Sequence, residues 1–303
     1  MSLDADAIVD RRRLKRRLIA WRLAAIVSVA ALAYVALFPL QVITGRDHVA
    51  TMQISGIITD DQARLNSLGK IARNERIKAL VVRINSPGGT AVGGETLYHA
   101  LRRVADQKPV VALIRTMGAS GGYMAALAAD RIYARENSLT GSIGVVLQTA
   151  EMSGLLEKIG VTAETLASGP LKAQPSAFAP MTDQARAATQ GLIDDTHQWF
   201  VSLVTKRRNL TAEEATAASD GRLFTGRQAL GFKLIDEVGG LLEARTWLEG
   251  RGVPSILPTQ AIDTAIEEGD WMRRLLGLAG NSLLSERLTL DGLLTLWQPD
   301  SLF

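Results

Sequence analysis

Residues 79 to 90 read ALVVRINSPGGT, a short apolar run that ends in a proline and two glycines. An almost uninterrupted run of β-branched and aliphatic residues predicts a strand that is largely buried. Glycines directly after such a strand are typical of a loop whose backbone approaches a ligand closely. A strand at 79–84 followed by a glycine-rich loop at 85–90 is therefore the unit from which the fold is inferred.

The same alternation of short strands and helix-length segments continues on both sides of this unit. Further strands are predicted at 49–58, 109–114 and 131–134, and helices at 61–73, 94–104 and 120–129. The second half is more helical, with predicted helices at 182–207, after the capping boxes at Thr211 and Thr225, and from Gly240 to Glu249. Alternation of this kind is typical of parallel βαβ units, whose ligand sites form at the carboxyl ends of strands. The predicted fold class is α/β.

Composition excludes several functional classes. The chain has 303 residues, 47% of them hydrophobic and 21% charged, which is enough for a large folded core. Residues 1–45 hold seven of the 34 Lys and Arg and three of the 31 Asp and Glu, so the remainder carries 27 cationic and 28 anionic residues. A basic nucleic-acid-binding body is therefore not indicated. The absence of cysteine excludes thiol catalysis, zinc–thiolate sites and disulfides.

The N-terminal segment has the pattern of a membrane anchor. Six cations within 11–17 precede an apolar stretch at 18–42, which is uncharged from Leu23 onwards. About 20 apolar residues suffice for a helix to cross a bilayer, and the cations predict that 1–17 stays in the cytoplasm. A cleaved signal peptide ending near Ala33 is the alternative. The predicted order is a basic tail at 1–17, an anchor at 18–42, a catalytic domain at 46–250 outside the cytoplasm and an extension at 251–303, whose part from 278 is apolar.

Ser120 is the candidate nucleophile. It lies in MGASGGY, residues 117–123, where a strand is predicted to pass directly into a helix. Small neighbours let a substrate carbonyl approach the hydroxyl, and the N–H groups of a helix N-terminus can stabilise an oxyanion. An ordinary helix cap is the simpler reading of such a serine. The second glycine loop at 87–89 also follows a strand, so its backbone could supply another oxyanion donor.

Two candidate bases can serve this serine. His99 lies within a predicted helix and has no recognisable catalytic context, so an ordinary surface or core histidine is the simpler interpretation. Lys172 follows Ser168 and Gly169 in an apolar loop that also contains a proline. A lysine amine accepts a proton only when it is neutral, and burial can lower the ordinary lysine pKa of about 10.4 far enough. Local sequence alone leaves the choice of base open.

Four separated motifs resemble those of the bacterial signal peptide peptidase A family, and they occur in the same order. They are NSPGG at 85–89, ASGGY at 119–123, TGSIGV at 140–145 and GRLFTG at 221–226. The resemblance covers about 49–249 and is similar to the short form with a single copy of the domain. It implies a fold like that of the Clp protease and crotonase superfamily, a spiral of ββα units.

The resemblance also implies roles for individual residues. Ser120 matches the family nucleophile, Lys172 the general base and Ser142 the residue that positions the lysine amine. Gly89 and Gly121 match the oxyanion hole. Pro170 and Leu171, immediately before Lys172, depart from the more polar residues expected there, which bears on loop geometry. Short family members assemble into homo-oligomers in which neighbouring subunits are thought to share each active site.

The function expected from these observations is a membrane-anchored serine endopeptidase with a Ser/Lys dyad and no metal or other cofactor. Its expected partners are cleaved signal peptides and other membrane-proximal peptides, the bacterial inner membrane and further copies of the chain, with the catalytic domain in the periplasm and no nucleic acid. Two alternatives remain. One is an inactive membrane-bound scaffold that only binds peptides, and the other is an acyl-CoA hydratase or thioesterase of the crotonase type.

Overall fold

The computed structural model describes residues 15, 17–19, 21–29, 46–262 and 294–296. The chain divides into two units between Arg46 and Asp47, and each is described by itself. In the first unit the described residues between 15 and 29 are helical. Within the described parts of the chain, no helix combines the length and apolarity needed to span a bilayer. Most of the predicted basic tail at 1–17, much of the predicted anchor at 18–42 and most of the apolar stretch from 278 lie outside the described residues.

The second unit alternates strands and helices. Its first half contains β1 (His48–Ile58), α1 (Gln62–Arg73), β2 (Ile77–Thr90), α2 (Ala91–Ala105), β3 (Val110–Ala119), α3 (Gly121–Leu127), β4 (Arg131–Ala134) and β5 (Leu139–Gly141). Its second half contains α4 (Ser153–Lys158), α5 (Asp183–Arg208), α6 (Ala212–Ala218), β6 (Leu223–Thr225), α7 (Gly226–Gly231), β7 (Glu237–Val238), α8 (Leu241–Glu249), β8 (Thr259–Ala261) and β9 (Leu294–Leu296).

The described strands form one mixed sheet with a largely parallel centre. Its main order is β6-β5-β3-β2-β1-β8, while β4 pairs with β3 and β7, and β9 pairs with β2. The pairs β1–β2, β2–β3 and β3–β4 are parallel, whereas β5–β6 and β2–β9 are antiparallel. The α/β class predicted from the alternating pattern is therefore confirmed. Because the central strands are parallel, the loops that follow β2 and β3 meet at one edge of the sheet.

Both faces of the sheet are buried, which explains the nearly continuous apolar runs in its central strands. Side chains alternate along β2, so Leu80, Val82 and Ile84 join the larger core cluster, together with residues of α1, α2, α3 and α5. The intervening Ala79 and Val81 join a smaller cluster that α8 covers. The unit therefore has three layers, and α3 packs on the face opposite to α8.

Helix starts agree closely with the capping residues in the sequence. Asp61 caps α1 and Thr182 caps α5, each by accepting a hydrogen bond from a backbone N–H three residues later. The capping boxes predicted at Thr211 and Thr225 are both present. One prediction was wrong: residues 85–90 are not a free loop but the continuation of β2, because they pair with β1 and β9.

Candidate active site

Ser120 occupies a sharp turn between β3 and α3. Its backbone has φ 52° and ψ −118°, a conformation that costs a non-glycine residue energy and is often found at functional sites. Its N–H donates to the carbonyl oxygen of Gly141 at 2.9 Å, which fixes the turn against β5. The side chain is 1% exposed, and Oγ has no hydrogen-bond partner among the described residues. Ser120 therefore does not cap α3 through its side chain, although serines usually do so at this position.

The two glycine-rich segments lie against each other beside Ser120. Ser86 pairs with Gly118 across β2 and β3. A Cβ added to Gly122, in the first turn of α3, would lie 2.9 Å from the carbonyl oxygen of Ser86. The buried Ser86 hydroxyl donates to the carbonyl oxygen of Gly56 at 2.6 Å and accepts from the N–H of Gly88 at 3.1 Å. The close approach of Gly122 to the Ser86 carbonyl leaves no room for a side chain at 122 without a shift of the backbone, and it holds the two glycine-rich segments against each other.

Gly89 lies in the part of β2 that pairs with β9, the strand near the C-terminal end of the sequence. In the antiparallel pairing with β9, Gly88, Gly89 and Thr90 oppose Leu296, Thr295 and Leu294. On the other side Gly89 pairs with Ile58, and a Cβ at Gly89 would lie 1.8 Å from the Ile58 carbonyl oxygen. Only glycine fits here, and the segment at 88–90 accepts an antiparallel strand directly beside the Ser120 turn.

Ser142 lies next to the same turn. It follows Gly141, whose carbonyl accepts from Ser120, and its own N–H donates to the Arg222 carbonyl at 2.8 Å. Its backbone also has positive φ, 48°, and its side chain is buried. The TGSIG and GRLFTG motifs therefore meet as neighbouring backbone segments, and they support the turn that carries Ser120.

Lys172 is not joined to these residues within the described chain. It lies in an exposed loop, where its N–H donates to the carbonyl oxygen of Gly169 at 3.1 Å. The loop lines its own cavity of about 500 Å³, whose lining between Ala163 and Ala179 includes neither Ser120 nor Ser142. The structure thus brings together Ser120, Gly121 and Ser142, places Gly89 on the neighbouring strand β2, and leaves Lys172 elsewhere.

His99 does not complete a triad with Ser120. Its side chain is 56% exposed on α2, where it lies 4.0 Å from Glu95. Since the Ser120 hydroxyl has no partner among the described residues, His99 is not hydrogen-bonded to it. The sequence-based interpretation of His99 as an ordinary helix residue agrees with this placement.

Several residues that shape the site were not identified from the sequence. The Gly141 carbonyl accepts from Ser120, and the Arg222 carbonyl accepts from the adjoining Ser142. The Ser86 hydroxyl holds the glycine segment of β2, and the backbone of β9 covers the edge of that strand at 88–90. Main-chain groups leave no residue-type signal, so of these residues only Ser86 and Tyr123, which lie in the NSPGG and ASGGY motifs, could have been identified from the sequence. Tyr123 is a further support: it is fully buried on α3, and its hydroxyl donates to the Leu234 carbonyl at 2.7 Å.

Comparison with known proteins identifies relatives over most of the second unit. A model of Peptidase family S49 matches residues 102–252. A protein of Synechocystis sp. named as a protease is 36% identical over 235 residues, which cover 77% of this chain and 84% of that protein. A protein of Enterococcus faecium named as a signal peptide peptidase is 30% identical over 205 residues, covering 63% of this chain and 60% of the relative.

Similarity also extends to a plant protein and to a solved structure. The chloroplastic serine protease SPPA of Arabidopsis thaliana is 31% identical over 214 residues, 66% of this chain and 32% of the relative. The chain thus spans less than two thirds of the Enterococcus and Arabidopsis proteins. The structure of a membrane-bound stomatin-specific protease is similar at 16% identity and a TM-score of 0.47, covering 72% of this chain and 99% of that one.

Proposed function

Because the chain belongs to peptidase family S49, we propose that it is a serine endopeptidase with Ser120 as nucleophile and Lys172 as general base. The observation that carries this proposal is the state of Ser120. A buried serine hydroxyl without a hydrogen-bond partner, held at positive φ on a strand-to-helix turn, is costly unless it has a role in chemistry. Relatives named as proteases supply the reaction class.

The proposed reaction begins when neutral Lys172 takes the proton of the Ser120 hydroxyl and Oγ attacks the peptide carbonyl. The N–H of Gly121, in the first turn of α3, has no acceptor within the helix, and we assign it to the stabilisation of the developing oxyanion together with the backbone of Gly89. The protonated lysine then passes its proton to the leaving amine, which leaves an ester on Ser120. Water, deprotonated by the same lysine, hydrolyses that ester and restores the enzyme. In this scheme Ser142 holds the lysine amine in place.

We place the base of each site on a neighbouring subunit of a homo-oligomer. Two observations support this: the Ser120 hydroxyl has no hydrogen-bond partner among the described residues, and Lys172 is exposed in a segment, residues 144–180, that buries few of its side chains. Apolar side chains in this segment are exposed to solvent, including Leu155, Leu166 and Phe178. Apolar area of this kind is usually covered in an assembly. Contact with a neighbouring copy would bury the segment at 144–180 and bring Lys172 to the Ser120 turn of that copy.

The edge at 88–90 is the proposed peptide-binding strand. It already accepts β9 in antiparallel pairing, so an extended peptide can bind there by the same main-chain hydrogen bonds. Such binding recognises backbone rather than one side chain, which suits the degradation of varied apolar peptides. The proposed substrates are cleaved signal peptides and other membrane-proximal peptides. Residues 18–42 would anchor the enzyme in the bacterial inner membrane with the catalytic unit in the periplasm.

The test is hydrolysis of a fluorogenic apolar peptide by the full chain in detergent, compared with Ser120→Ala and Lys172→Ala. Each single variant is expected to be inactive. If neighbouring subunits share sites, mixing the two inactive variants at equal amounts during reassembly should restore about a quarter of wild-type activity, since one site in four pairs an intact serine with an intact lysine.

The outcomes separate the possible readings. Activity that survives either substitution removes that residue from the mechanism. Inactive mixtures of two correctly assembled variants place serine and lysine in the same subunit. A wild-type chain that binds the peptide but never cleaves it would instead be the inactive scaffold.

A further inference from the structure

Three neighbouring strands each place an arginine on the same face of the sheet. Arg83 lies in β2, Arg115 in β3 and Arg135 directly after β4. Each follows, by two positions, a buried residue of the core cluster under α8; these are Val81, Leu113 and Tyr133. Because side chains alternate along strands, each arginine continues the row of its buried predecessor. In the pairing, Leu113 opposes both Arg83 and Tyr133, so the three rows run side by side.

All three arginines line one cavity of about 500 Å³. Its polar lining also includes Thr116, Asn137 and Ser138, and the glycines that precede α8 complete it. None of the residues proposed for catalysis contributes to this lining. The cavity opens on the α8 face, whereas the helix that follows Ser120 packs on the opposite face.

The backbone around the cavity is firmly held. Ser138, 2% exposed, donates to the carbonyl oxygens of Ile114 and Arg115 and accepts from the N–H of Arg135 at 2.9 Å. The Arg135 guanidinium lies against Gly240: a Cβ there would be 2.4 Å from Nη2. The backbones of Arg115 and Arg135 are thus held together through the buried Ser138 hydroxyl. Because residue 240 is a glycine, no side chain at that position separates the Arg135 guanidinium from the start of α8.

The positive charge in the cavity is poorly compensated. Among the residues the structure describes, the guanidinium groups of Arg83 and Arg115 have no hydrogen bond and no ion pair. A nearby carboxylate, that of Glu243, accepts a hydrogen bond from the N–H of Gly240 at 2.6 Å, which, with a smaller contribution from Arg135, lowers its pKa. Like charges on adjacent strands are destabilising, so three gathered arginines carry a cost that an anion would relieve.

We propose that this cavity binds a phosphate-class oxyanion, held by the guanidinium groups of Arg83, Arg115 and Arg135. Guanidinium groups present paired N–H donors that match the oxygens of phosphate. The Thr116 hydroxyl and the Asn137 amide supply further donors. The same chemistry occurs in free phosphate compounds and in the head groups of anionic phospholipids. The proposal does not depend on the peptidase activity.

Calorimetric titration of the detergent-solubilised full chain tests it, with pyrophosphate and short-chain phosphatidylglycerol as separate probes at constant ionic strength. The double variant Arg115→Gln, Arg135→Gln should bind at least about tenfold more weakly than wild type. Arg103→Gln, an exposed arginine of α2 outside the cavity, removes a positive charge as the matched control and should bind like wild type. Saturation by pyrophosphate identifies a free phosphate compound, and selective binding of the lipid identifies a head group.

Thermal unfolding without phosphate supplies a second readout. If the arginines are there to bind an anion, the double variant should be at least as stable as wild type in chloride buffer, because mutual repulsion is relieved. It should also lose the stabilisation that added pyrophosphate or lipid gives to wild type. The proposal is overturned if neither probe binds wild type, or if the double variant binds with wild-type affinity.

Discussion

A methyl group added at Gly122 tests how the two glycine segments form the site. The Cβ of Gly122→Ala would lie 2.9 Å from the Ser86 carbonyl oxygen and 3.3 Å from Ser86 Cβ. Both groups are backbone or close to it, so α3 and β2 must move apart by a few tenths of an ångström. Overpacking of this kind costs about 1–3 kcal/mol, and replacing a helical glycine by alanine returns about 0.5–1 kcal/mol. The expected net loss of stability is about 0–2.5 kcal/mol.

Activity is also expected to fall, because the shift displaces the Ser120 turn from the proposed peptide-binding strand. A misplacement of about 1 Å can cost about a hundredfold in rate, so a few tenths of an ångström should lower kcat/KM by about threefold to tenfold. Peptide hydrolysis and thermal unfolding are measured on the same samples. Gly191→Ala is the control, since an added Cβ on this exposed turn of α5 meets no atom within 4 Å. It should leave activity unchanged and raise stability slightly. Wild-type activity in Gly122→Ala would refute the reasoning.

Three further predictions concern support of the site. Tyr123→Phe removes the hydrogen bond to the buried Leu234 carbonyl and should lower the free energy of unfolding by about 1–3 kcal/mol in denaturant titration; unchanged stability would contradict this. Asp236→Asn weakens the ion pair with Arg208 at 3.0 Å and should lower the free energy of unfolding by about 1–3 kcal/mol at neutral pH, again measured by denaturant titration. An unchanged free energy of unfolding would show that the ion pair contributes nothing to stability. A chain ending at 287 lacks β9 and should cleave short peptides about threefold to tenfold faster, because the strand edge at 88–90 is open; equal kcat/KM values would show that β9 does not compete with substrate.

The central sheet was predictable because its strands are buried on both faces. Such strands must be apolar nearly throughout, and the runs at 79–84 and 109–114 have this pattern. The first residues of several helices were equally predictable, because the side chains of Asp61, Thr182 and Thr211 each cap a helix. The short strands β5 to β8 were missed, because two or three residues give no periodic signal.

The error at 85–90 has a specific cause. Proline and two glycines in six residues predict a turn from local chemistry alone. Here glycine serves a different purpose: at Gly89 the neighbouring Ile58 carbonyl leaves no room for a side chain. A tertiary contact thus decides the conformation, and the distant segment at 294–296 that completes the pairing cannot be read from local sequence.

The candidate site was predictable only in part, because contacts between segments that are distant in sequence also decide its arrangement. Ser120 and Ser142 carry recognisable motifs, and the structure brings them together through the Gly141 carbonyl. Lys172 lies away from Ser120 in the described chain, and no pattern within one sequence specifies the contact between copies that we propose to join them. The arginine cavity combines residues from three strands and a helix start, each unremarkable in its own segment.

Covalent labelling of Ser120 tests the account most directly. The full chain is treated with a fluorophosphonate and then digested with a protease. The labelled peptides are identified by mass spectrometry. The account predicts one labelled serine, Ser120, with labelling that is slowed at least about a hundredfold in Lys172→Ala, since the hydroxyl then has no base. Labelling of another serine, or labelling of Ser120 at the wild-type rate in Lys172→Ala, would contradict the proposed dyad.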